Sequence, residues 1–117
     1  MSLTVKEVIQ VARSHFLELL PALAIYPEPP GPKSITSKMT PAVKRSWLES
    51  SIRLEELERE EGNWAVTLSV PNPDFKEGDL LEGIRQARRL ARVAKVLIID
   101  GETGTLVALR DIQERAA

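Results

Sequence analysis

A chain of 117 residues with 43% apolar and 28% charged residues has the composition of one globular domain. A formal net charge of −1 gives no global attraction to nucleic acid or to an anionic membrane. The lack of cysteine excludes disulfides, thiolate zinc sites and a cysteine nucleophile, and no run approaches the ~20 apolar residues of a membrane span.

The first element is a helix. Thr4 and Glu7 stand at capping-box spacing, where hydroxyl and carboxylate each satisfy a free backbone N–H. Val5, Val8, Ile9, Ala12, Phe16, Leu19, Leu20 and Leu23 then form one apolar stripe, with Lys6, Gln10, Arg13 and Ser14 on the opposite side. Pro21 loosens or kinks the last turns. Charged residues interrupt the apolar ones from the start, which does not suit a signal peptide, so the expected location is cytoplasmic.

Residues 26–41 contain five prolines and a glycine and lack periodicity; they read as an irregular connection. A partner could recognise the Pro-Glu-Pro-Pro-Gly-Pro run as polyproline II, but a stiff connector is the simpler account. Thr40 and Pro41 suit the cap and first position of a short helix through Trp47.

Ser51 to Val70 reads as a β-hairpin. Trp64, Val66, Leu68 and Val70 alternate with Ala65, Thr67 and Ser69, a period of two. Ile52 and Leu54 begin a similar alternation that slips before Leu57, the signature of a bulge. Glu60-Glu61-Gly62-Asn63 supplies the turn. Beyond it, Asp79 to Arg89 suits a capped helix, against a competing reading in which the next strand extends back through Arg92; the pattern leaves 87–92 open. Lys95–Asp100 and Thr105–Leu109 are paired strands, and the tail after Asp111 is polar.

Asp100-Gly101-Glu102-Thr103-Gly104 lies between those last strands. A phosphate loop needs converging N–H groups at a helix N-terminus, yet a strand follows here. A calcium loop needs alternating oxygen ligands and a closing glutamate, and only two carboxylates are present. The stretch reads as a turn, with Asp and Thr bonding the local backbone.

The stretches VKEVIQVARSHF, GNWAVTLSV and KVLIIDGETGTLVAL, in that order, resemble the opening helix, middle strand and closing hairpin of PepSY-type domains. The resemblance touches about half of the chain. It implies a cystatin-like α+β domain whose antiparallel sheet wraps one long helix. Such domains have no catalytic residues, typically lie outside the cytoplasm, and are proposed to inhibit or chaperone proteases.

Little else suggests chemistry. His15 is the sole histidine and lies at the edge of the helix stripe, so packing explains it better than catalysis. Glu49 to Glu61 holds six acids against Arg53 and Arg59, which solvation and strand-edge protection explain. Arg85, Arg88, Arg89, Arg92 and Lys95 form a basic run without acids. It could bind phosphates, but pairing with the acidic hairpin suffices. Trp64 suits the sheet core. Trp47, beside the Pro-rich stretch, could anchor a partner.

The expectation is a single α+β domain over 1–117: a long N-terminal helix on an antiparallel sheet of about four strands, without catalytic residues, cofactor or metal. The expected function is a non-catalytic interaction or accessory domain of a bacterial-type soluble protein. It would act on an unidentified protein partner or as a homodimer, with Trp47, Arg85, Arg88, Arg89 and Arg92 as the candidate surface. One alternative is a pocket for an apolar small molecule, lined by Trp64, Leu68, Phe16 and Ile98. A weaker one is anion or nucleic-acid binding by the basic run at 85–95.

Overall fold

The computed structural model describes residues 2–23, 27, 29, 33–72 and 92–111. The elements run α1 (Val5–Leu19), α2 (Lys33–Thr36), α3 (Pro41–Ser51), β1 (Arg53–Glu60), β2 (Asn63–Pro71), β3 (Arg92–Asp100) and β4 (Leu106–Asp111). The strands form one antiparallel sheet in the order β1-β2-β3-β4, with α1 packed on one face, an α+β arrangement.

The capping box forms. The Glu7 N–H donates to Thr4 Oγ1 at 3.2 Å and the Thr4 N–H to Glu7 Oε1 at 3.1 Å. Four residues apart along α1, Val8, Ala12, Phe16 and Leu20 are fully buried. The helix ends at Leu19, just before Pro21, whose missing N–H cannot continue the ladder. A single helical turn, α2, interrupts the connection that the sequence reads as irregular. Thr40 caps α3, its Oγ1 accepting from the Val43 N–H at 3.2 Å. With Pro41 at its start, α3 runs past Trp47 to Ser51. Ile52, expected to open the strand, is instead the C-cap of α3 and is buried.

The β1–β2 turn is two residues long. Glu61 and Gly62 take φ of 44° and 88°, as a type I′ hairpin turn requires. The expected bulge lies between Leu54 and Glu56. On β2, Val66, Leu68 and Val70 join α1 in the core, yet Ala65, Thr67 and Ser69 on the other face are buried as well. Period two therefore gives the two faces of β2 correctly but not a solvated one. β3 begins at Arg92, so the extended reading holds at that position; the proposed helix at 79–89 and the tail after Asp111 lie outside the described residues.

β4 carries a second bulge. A register shift between Ile98 and Ile99 leaves Val107 unpaired between Leu106 and Ala108. Leu106 and Leu109 thereby fall on the α1 side, opposite Ile99 and Leu97, while Ala108 and Arg110 lie on the other. On that second face Glu60 of β1 and Arg110 of β4 approach to 4.0 Å. Ala65, Ala94 and Ala108 lie on this face, with Ile98 between Ala65 and Ala108.

Candidate functional site

Three places concentrate polar groups: the corner where both hairpin turns meet, the junction of α3 with β1, and a cleft between α1 and α3.

At the corner, the Asp100 carboxylate accepts from the N–H groups of Glu102 at 2.8 Å and Thr103 at 3.1 Å. These two backbone bonds, Glu102 first, hold its pKa below the ordinary value. The Gly104 N–H returns to the Asp100 carbonyl at 3.0 Å and the Asp100 N–H reaches the Thr105 carbonyl at 2.9 Å. The N–H groups thus turn inward on the loop itself, which makes 100–104 a turn rather than an anion cradle. His15 Nε2 lies 3.0 Å from the Gly104 carbonyl, to which it donates, so the histidine clamps this turn to α1. Gly101 touches the other hairpin: its N–H donates to the Gly62 carbonyl at 3.0 Å, and its own carbonyl accepts from Leu3 at 2.7 Å. A hollow of about 300 Å³ opens here, beside Arg59 stacked 5.6 Å from the Trp64 ring centre.

At the α3–β1 junction, Arg92 is a hub. Its Nε donates to Ser69 Oγ at 2.8 Å, and its Nη2 to the carbonyls of Ser51 at 2.6 Å and Ser69 at 3.0 Å. Ser69 Oγ in turn donates to Glu55 Oε1 at 2.6 Å. Burial, and after it the nearby Arg53, lowers the Arg92 pKa, while Glu55 opposes them. The bulge after Leu54 places Glu55 for this relay. Arg92 therefore ties β3 to the end of α3. Arg85, Arg88 and Arg89 lie outside the described residues.

Trp47 is partly buried and packs against the core from α3. Trp64 does the same from β2. Phe16 and Leu68 are fully buried in that core, whereas Ile98 pairs with Ala65 on the opposite face, so the four residues expected to line a pocket do not surround one space. None of three hollows of about 240–300 Å³ among the described residues is lined by Phe16, Leu68 or Ile98.

The third place was not read from the sequence. Arg13, assigned to the solvated side of α1, is partly buried and donates from Nη2 to the Ile52 carbonyl at 2.5 Å. Its sequence signal is its position four residues after Ile9 and three before Phe16, at the border of the stripe. Among the described residues, no group of three or more His, Asp or Glu side chains is placed to hold a metal, and no helix is long and apolar enough to cross a membrane. No protein-family model, curated protein sequence or solved structure matches the chain.

Proposed function

We propose that this chain is a non-catalytic interaction module, an accessory domain of a bacterial-type protein working in the cytoplasm, which receives a strand of a protein partner or of a second copy along β4. The contrast between the two sheet edges carries the reading. β1 is guarded: it bears four glutamates and two arginines, and all its residues but Leu57 are exposed. Such charge discourages strand addition. β4 starts Leu106-Val107-Ala108-Leu109, and Val107 is 55% exposed. Among the described residues no strand pairs with its outer edge. Although bulged at Val107, this apolar edge carries no charge over its first four residues and offers its main chain for pairing.

The chemistry of the polar residues supports a role without turnover. His15 is committed to a carbonyl, Asp100 to its own turn, and Glu55 to Ser69. The PepSY-like resemblance of the sequence points the same way, since such domains are proposed to inhibit or chaperone proteases.

The test is Val107→Lys, which places a charge on an exposed edge position. The tagged full chain is used to capture proteins from its native lysate, and its own association is followed by light scattering after size exclusion. The wild type is expected to hold a stoichiometric partner or to dimerise. The variant should lose that association and melt as the wild type does. An association that survives in Val107→Lys, or a wild type that neither dimerises nor captures a partner, would sink the proposal.

A further inference from the structure

Between α1 and α3 lies a cleft of about 290 Å³, lined by Gln10, Arg13, Ser14, Leu17, Glu49 and Ile52. Its floor is apolar: Leu17 is 8% and Ile52 3% exposed. The guanidinium of Arg13 is fixed in its wall by the bond to the Ile52 carbonyl. A guanidinium has five N–H donors in a planar fork, and this bond uses one of its two terminal nitrogens. Among the described residues no carboxylate lies within ion-pair distance of Arg13. Glu49, across the cleft, pairs instead with Arg45 on its own helix at 3.6 Å, and its side chain is 57% exposed. Ser14 Oγ donates to the Gln10 carbonyl at 3.1 Å, so its proton is held by its own helix and Arg13 is the donor of the cleft.

A partly desolvated arginine, held by a backbone carbonyl and with no acid paired to it among the described residues, is a ready receptor for a carboxylate. The adjoining Leu17 and Ile52 surface suits a short apolar tail. The cleft is at the small end of ligand sites. We propose that it binds a small monocarboxylate with a short hydrocarbon chain, the carboxylate on Arg13 and the chain on Leu17 and Ile52. Neither the β4 edge nor the interaction role enters this assignment.

Hexanoate is the probe, titrated into the isotope-labelled full chain while backbone amide shifts are followed by NMR. Saturable shifts are expected at Gln10, Ser14, Leu17 and Ile52. Hexanol, with the same chain and no charge, should bind at least about tenfold more weakly, since a hydrogen bond to a charged group is worth about 1.5–3 kcal/mol. Arg13→Gln should lose the site. Glu49→Gln removes a like charge near the carboxylate and should tighten binding about two- to fivefold, the range of an exposed charge interaction. Glu49 is exposed, so this variant serves even if Arg13→Gln does not fold. The inference is overturned if no saturable shift occurs, if the shifts map elsewhere, if hexanol matches hexanoate, or if Glu49→Gln leaves the affinity unchanged.

Discussion

Replacing Arg92 with methionine removes the guanidinium and keeps most of the hydrocarbon stem. Three hydrogen bonds disappear: to Ser69 Oγ at 2.8 Å, to the Ser51 carbonyl at 2.6 Å and to the Ser69 carbonyl at 3.0 Å. Ser69 is 1% exposed, so its carbonyl is left without that donor in a place poorly reached by water. Bonds from a charged donor contribute about 1.5–3 kcal/mol each when buried. The Arg92 side chain is 22% exposed and water can replace part of the loss at its rim, which brings the total to about 2–4 kcal/mol. The ion pair to Glu55 at 3.9 Å adds little, because the Glu55 side chain is 40% exposed. At roughly 4 °C per kcal/mol for a domain of this length, the melting temperature should fall by about 8–16 °C. Circular dichroism melts of Arg92→Met, Ser69→Ala and the double variant give the effect and its coupling, expected near 1 kcal/mol for contacting residues. Arg45→Met is the contrast: its pair with Glu49 is more than half exposed on both sides, and its loss should stay within about 0.5 kcal/mol. If Arg92→Met melts no further from wild type than Arg45→Met does, the hub assigned to Arg92 does not exist.

Gly101→Ala should cost about 1–3 kcal/mol, as other forced overpackings do: its Cβ would stand 2.5 Å from the Gly62 carbonyl oxygen, so one hairpin turn must move off the other. Faster hydrogen exchange at amide 101, whose bond to Gly62 would break, is the readout; unchanged exchange and stability would mean that the two turns are not in contact. Acid should weaken the fold through two depressed carboxylates, Glu7, held down by the Thr4 backbone bond and then by the Thr4 side chain, and Asp100, held down by the Glu102 and Thr103 N–H groups. With folded pKa values below the ordinary 4.5 and 3.8, their contribution is complete above those values and is lost as pH falls through the lower folded ones. Carboxyl carbon titration by NMR should place both below ordinary; either one titrating at or above its ordinary value removes it from the argument.

The sequence alone determined what is settled within a few residues. The Thr4–Glu7 capping box, the α1 stripe apart from the exposed Val5, the Thr40-Pro41 helix start, the Glu61-Gly62 turn and the self-bonded Asp100 turn all depend on partners at most four positions away or on a single residue's φ. Together with the strand periods these suffice for one helix on a four-stranded antiparallel sheet. The bulge near Leu54 showed as a slipped alternation, but the one at Val107 did not, because an inserted residue in so short a strand does not disturb its apolar run. Other roles were fixed only by folding. Arg92 reads as one of a run of bases, yet its partners Ser69 and Ser51 lie 23 and 41 residues away. Arg13 reads as the polar side of a helix until α3 brings the Ile52 carbonyl, 39 residues on, against it. His15 meets Gly104 across 89 residues. Whether a charged side chain faces water or a carbonyl depends on which distant element covers it. No local period encodes that choice; it follows from how the sheet, α1 and α3 fit together.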